Sequence, residues 1–199
     1  MSVKTQNLKT RGRPRSAKAQ AAILEAASQL LDSGGIGAVT MEAVARLAGV
    51  GKPTVYRNWA NRENLAMAAL LKSGAPKTSV KETDSALDDL RRQLIKVSQS
   101  FASPRGRNAA LMVASADHDS ELSKAFRNQV MLASREEGRA MLKRAITEKS
   151  IRKDIEIDVV LDMIYGPIFY RLQVGHATAD LAFVESLMRE AIRGLRESD

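Results

Sequence analysis

Apolar residues recur along this chain at the spacing of one helix face, and no segment shows the alternation expected of a strand. Ile23, Ala27, Leu30 and Leu31 fall at i, i+4, i+7 and i+8 and predict a first helix over about 17–33, stopped by Gly34-Gly35. Ile36 and Val39 follow as core plugs in a connecting loop. Thr40 is placed to cap a second helix whose first turn holds Glu42, favoured at the positive dipole end. Val44, Ala45 and Ala48 give that helix a small inner face, so a third can cross it closely, and Gly49 and Val50 form the turn. The third helix, over about 51–58, tolerates Pro53 in its first turn. It turns Val55 and Trp59 inward and leaves Lys52, Thr54, Tyr56, Arg57 and Asn58 outward. Asn61 caps a fourth helix with Leu65, Ala68 and Ala69, ended at Gly74-Ala75-Pro76.

Beyond about Thr83 the helical period resumes. Leu87, Leu90, Leu94, Ile95, Val97 and Phe101 predict a helix stopped by Ser103-Pro104. Helices over 108–116, 121–149, 158–175 and 179–196 follow, the last with one apolar stripe from Leu181 to Leu195. Pro167 should kink its helix. The fold class expected is all-α: a three-helix helix-turn-helix head, then a C-terminal helical domain, about nine helices in total. The boundaries read from the pattern are 1–17 for a disordered basic arm, 18–74 for the head and 75–199 for the second domain.

Two short helices joined by a tight turn, the second outward-facing and polar, form the layout that places a helix in the major groove of DNA. Charge sharpens this. Of the net +8, residues 1–74 hold 11 Lys/Arg against 4 Asp/Glu, while residues 75–199 hold 20 against 19. A basic excess confined to the segment with the motif is an electrostatic footprint of phosphate binding. Within the arm, Arg11-Gly12-Arg13-Pro14-Arg15 suits either insertion into a narrow minor groove or a nonspecific phosphate tether.

Other classes recede. There is no cysteine, which removes disulfide scaffolds, cysteine-ligated zinc and cysteine nucleophiles. With two histidines and no phosphate-binding glycine loop, an enzyme is disfavoured. Asp117-His118-Asp119 is read as a helix end rather than a metal site, since neighbours on one short turn rarely converge on one ion. No cofactor or metal is expected. No apolar run suffices to span a membrane and no signal-peptide core follows the N-terminal lysines, so a cytoplasmic location is the default expectation.

The run Gly49-Val50 followed by Lys52-Pro53-Thr54-Val55-Tyr56-Arg57-Asn58-Trp59 resembles the head-domain pattern of the TetR/AcrR family of bacterial transcriptional regulators. The Arg-Gly-Arg-Pro-Arg arm is common in that family, and Ile164-Tyr165-Gly166-Pro167-Ile168-Phe169-Tyr170-Arg171 is similar to one subset of it. The resemblance implies a repressor that pairs through its last two helices as a homodimer, binds a palindromic double-stranded DNA operator, and is released by a small molecule; the alternative reading of the residues is an architectural or constitutive DNA-binding regulator without a small-molecule ligand. Gly51 departs from the family's usual small hydroxyl or alanine, and Arg62 from its common lysine. The candidate DNA-contacting residues are Arg11, Arg13, Arg15, Thr40, Gly51, Lys52, Pro53, Thr54, Tyr56, Arg57, Asn58 and Arg62. Lys52 and Thr54 are the base-edge candidates. Tyr56 reaches a phosphate, as the matching family tyrosine does, and Thr40 is a cap, a phosphate contact or both. Trp59 is read as core and Arg46 as solvated. Met112, Met131, Met163, Tyr165, Phe169 and Tyr170 can line a cavity for an apolar effector; their other reading is ordinary core.

Overall fold

The computed structural model describes residues 13–74, 78–115 and 119–196, and every regular element among them is helical. The chain divides into two compact units, Met1–Ala69 and Leu70–Asp199, so the division falls inside the fourth helix.

In the first unit, α1 runs Arg13–Ala38, α2 Met41–Leu47 and α3 Lys52–Tyr56, and α4, Arg62–Lys72, begins there. Ile23, Ala27, Leu31, Val39, Val44, Val55 and Leu65 are fully buried and form the head core. Two expectations for α1 change. It starts at Arg13, so residues 13–17 are helical rather than part of an arm, and residues 1–12 lie outside the described set. It also continues past Gly34, breaking only at Gly35, where φ is +68° and ψ −166°. Ile36 therefore sits in the short helical turn beyond that break instead of a loop.

In the second unit, α5 (Ala86–Ala102) is the central rod, packing against α6 (Pro104–Ser115), α8 (Ala133–Thr147), α9 (Ile157–Val174) and α10 (Leu181–Leu195). Ser85 caps α5, its side chain accepting from the Asp88 N–H at 3.3 Å. Ser103-Pro104 ends α5 and also starts α6 four residues earlier than expected. The Ser103 hydroxyl accepts from Gly106 N–H at 3.0 Å, and proline is at home in a first turn.

The single helix expected over 121–149 is instead α7 (Glu121–Phe126), a π segment (Arg127–Leu132) and α8. Phe126 and Ser134 are both buried. Eight residues of regular helix would set them roughly 80° apart, and the wider π turn takes up that offset. Counted as one rod, α7–π–α8 leaves nine rods among the described residues. Pro167 lies inside α9 without ending it.

The centre of this unit is not uniformly apolar. The Tyr165 hydroxyl lies 2.5 Å from Gln93 Oε1 and 2.9 Å from the Ser134 carbonyl and shares its single proton between these two acceptors. Gln93 Nε2 donates to that same carbonyl and to Glu137 Oε2, both at 2.9 Å, and the Thr78 and Ser134 hydroxyls are 2.7 Å apart. Asp89, also buried, accepts from Thr83, Arg92 and Arg144. Each of the buried polar groups has hydrogen-bond partners, some buried with it and others reaching in from the surface, so its desolvation is compensated.

Candidate nucleic-acid interface

The helix-turn-helix is built from local contacts. Thr40 Oγ1 accepts from Ala43 N–H at 3.1 Å and starts α2, which buries Met41, Val44 and Ala45. Ala48 closes α2, Gly49 takes φ +65°, and Val50 N–H returns to the Ala45 carbonyl at 3.0 Å. That left-handed geometry is open to glycine and strained for other residues. Gly51 then occupies the N-cap of α3 without a side chain to cap it, and Pro53 follows in the first turn. Val55 is the one fully buried residue of α3 and fixes which face looks out.

Lys52, Pro53, Tyr56, Arg57 and Asn58 are exposed, and Thr54 and Trp59 are half-buried. Tyr56 leaves 51% of its surface open. Several of the candidates have partners within the chain. Lys52 Nζ lies 3.2 Å from Glu42 Oε1 across the turn. Asn58 Oδ1 accepts from Gln20 Nε2 of α1, and Asn58 Nδ2 donates to the Thr54 carbonyl, both at 2.8 Å. Arg62 pairs with Glu63 at 2.7 Å. The Glu42 carboxyl is held below its ordinary value, first by its own backbone N–H at the start of α2 and then by Lys52. Arg13 and Arg15 sit in the first turn of α1, and Arg11 lies outside the described residues.

Thr40, Gly51, Lys52, Pro53, Thr54, Tyr56, Arg57 and Asn58 are thus brought onto α3 and the elements flanking it. Two residues that the pattern did not single out as site residues contact this region: Glu42 pairs with Lys52 at the start of α3, and Gln20 bonds Asn58 just beyond its end. Glu42 stands out in the sequence only as a first-turn acid, and Gln20 carries no signal, because its partner lies 38 residues away.

The six residues expected at an effector cavity occupy different settings in the second unit. Met112 is buried, Tyr165 is buried in the polar cluster, and Phe169 packs edge-on against Phe101 with centroids 4.9 Å apart. Met163 and Tyr170 face outward, 53% and 61% exposed, and the Met131 side chain lies outside the described set. A cavity of about 220 Å³ does exist, between Ile95, Ser98, Gln99 and Ala102 of α5 and Leu181 and Val184 of α10. None of the six lines it. Asp117 and His118 also lie outside the described residues. No helix among the described residues is long and apolar enough to cross a membrane.

Comparison with known proteins agrees with this architecture. Residues 23–69 match the model of bacterial regulatory proteins of the tetR family, and residues 80–191 match the tetracyclin repressor-like C-terminal domain. The chain is 30% identical over 186 residues to the uncharacterized HTH-type transcriptional regulator YdeS of Bacillus subtilis, covering 94% of each protein. It is 29% identical to the DNA-binding transcriptional repressor TetR of Mycobacteroides abscessus, covering 92% of this chain and 94% of that one. Among solved structures, the TetR family transcription regulator SCO0332 is 27% identical with a TM-score of 0.64, over 90% of this chain and all of that one. An exposed reading helix set on a buried valine, a positively charged N-terminal segment and matches spanning both units lead to one assignment: the chain belongs to the TetR family of DNA-binding transcriptional regulators.

Proposed function

We propose that this regulator is a homodimeric repressor that holds a palindromic operator until an apolar small molecule releases it. The observation that carries the DNA side is the outward face of α3. Lys52, Tyr56 and Arg57 project from a helix whose single buried residue, Val55, points the opposite way. In this reading Lys52 donates to guanine O6/N7 and Thr54 offers a methyl to thymine or a hydroxyl to phosphate. Tyr56, Thr40, Arg57 and the Arg13/Arg15 turn hold phosphates, and Gly51 and Pro53 let the start of α3 approach the groove. Asn58 and Arg62, already paired with Gln20 and Glu63, act as supports before they act as contacts.

Pairing is supported by α9. Val159, Met163, Tyr170 and Val174 are each more than half exposed and share one face, with Gly166 among them. A stripe of this kind is costly in water and suits a second copy, whose own stripe is identical by two-fold symmetry. Two heads on one dimer then require an inverted repeat, with half-sites about one helical turn or more apart.

The direct test is selection of preferred sites from a random duplex pool with purified protein at near-physiological salt. An enriched inverted repeat is the expected result. A flat pool, or enrichment in A/T alone, would remove the sequence-reading function. A thermal-shift screen of apolar compounds tests the release step, and a hit must also lower operator affinity.

A further inference from the structure

Glu42 places a carboxylate on the face that meets DNA. It lies two residues after the Thr40 cap and across the turn from Lys52, with 51% of its side chain exposed against 58% for Lys52. An acid there opposes every phosphate that approaches, although as the one exposed residue in the first turn of α2 it also faces the positive end of the helix dipole. Its partner is the base-edge candidate. At 3.2 Å the two charges cancel at the distances over which phosphates are felt, so the pair presents a dipole rather than a cation.

We infer that Glu42 is a specificity-determining residue: by neutralising Lys52 in the free protein, it withholds that cation from phosphates and yields it only to a base edge. The inference rests on the proposed reading of DNA by α3. On arbitrary DNA, Lys52 gains nothing by leaving Glu42 for a phosphate, because the carboxylate is left facing the same backbone charge. On the right sequence, guanine O6 and N7 supply two acceptors in fixed geometry inside the groove, away from the backbone. Glu42 therefore widens the gap between operator and random DNA by weakening the latter, a repulsive element against the wrong partner.

The experiment compares wild type, E42Q, E42D and E42Q/K52M on the duplex selected above and on a scrambled duplex of equal length, across a salt series. E42Q should bind the scrambled duplex about 3- to 10-fold tighter. Its log–log salt slope there should steepen by about 0.9, the contribution of one added phosphate contact. The selected duplex should change by less than about twofold, so the affinity ratio falls. E42D keeps the charge and should keep the wild-type ratio, and E42Q/K52M should lose the added slope. An unchanged ratio and slope in E42Q, or E42D behaving like E42Q, would overturn the inference. So would weaker binding of E42Q to the selected duplex alone, which would make Glu42 a base reader. A wild type that does not tell the two duplexes apart would overturn the DNA-reading function, and this inference with it.

Discussion

Replacing Gly138 by alanine reverses the sign that helix propensity predicts. Gly138 lies in α8, where alanine normally gains about 1 kcal/mol. Its face, however, is covered by Tyr165. A Cβ built there falls well inside van der Waals contact with Tyr165 Oη and 3.2 Å from ring atoms Cε2 and Cζ. The ring has little freedom to retreat, because Tyr165 is 6% exposed and its hydroxyl is fixed between Gln93 and the Ser134 carbonyl. Making room requires a ring shift that breaks at least one of these bonds, at about 1–3 kcal/mol for a buried group left unpaired. Overpacking adds about 1–3 kcal/mol. After the propensity gain, Gly138→Ala should destabilise the C-terminal unit by about 1–5 kcal/mol, lowering Tm by about 3–15 °C. The assay is thermal unfolding at matched protein concentration, since dimerisation shifts apparent stability. Adding Tyr165→Phe removes the clashing hydroxyl, so the double variant should lose less than the sum of the singles by about 1 kcal/mol. A Gly138→Ala protein melting at or above wild type would refute the argument, and with it the packing of α8 on α9.

Other outcomes follow from the same contacts. Lys52→Ala should change which bases are preferred at one operator position, at about 1–3 kcal/mol, whereas Arg13→Ala should weaken all duplexes alike and reduce the salt slope by about 0.9, both read from binding titrations. Burial alone would push the Asp89 carboxyl up, but the Thr83 N–H and hydroxyl, Arg144 and Arg92 overcome it and hold the group well below the usual carboxylate range. Its contribution to stability is therefore complete above the unfolded value of about 4 and is lost as pH falls below that. Asp89→Asn should flatten this acid limb of a pH–Tm profile and cost about 3 kcal/mol at neutral pH, the lower end for a broken buried pair because Arg144 keeps Glu82 and Glu148. Tyr170→Glu, on the outward stripe of α9, should leave the fold intact and yield monomers by light scattering.

The head was legible because its determinants are close in sequence. The Thr40 cap, the Gly49 turn and the burial of Val55 between exposed neighbours each act within a few residues. Where the structure departs from the local pattern, a partner distant in sequence decides the outcome. Gly34-Gly35 breaks α1 at one residue only, and residues 13–17 look like an arm by composition yet extend the helix. In α5 the spacing identified the element and most of its inner face, with Leu90, Leu94, Val97 and Phe101 buried, but not the whole of it. Leu87 and Ile95 are half-buried, while the polar Asp89 and Gln93 are completely enclosed. Their burial is supported by Arg144, Ser134 and Glu137, 41 to 55 residues downstream, a distance that no window of periodicity spans. The π segment is equally invisible, since it answers a register mismatch between α7 and α8 that exists only once both are packed.

The same polar interior bears on where an effector can enter. A molecule inserted among α5, α8 and α9, where Tyr165 sits, would have to separate Tyr165, Gln93 and Ser134 and replace each of their bonds, at about 1–3 kcal/mol for every group it failed to satisfy. The notch between α5 and α10 asks for less. Its walls are mainly Ile95, Ala102, Leu181 and Val184, and the Ser98 hydroxyl is already engaged by the Ala179 carbonyl. Its volume of about 220 Å³ falls below that of most ligand pockets, so an occupant there would be small or would push α10 outward. Displacement of α10 is also the motion that would disturb a dimer seam made with α9. A stabilising compound found by thermal shift should then lose its effect in Val184→Trp, which fills the notch, and retain it in Tyr165→Phe. The opposite pattern would place the effector in the polar core, and the cost of opening that core would have to appear as weak affinity relative to the area the ligand buries.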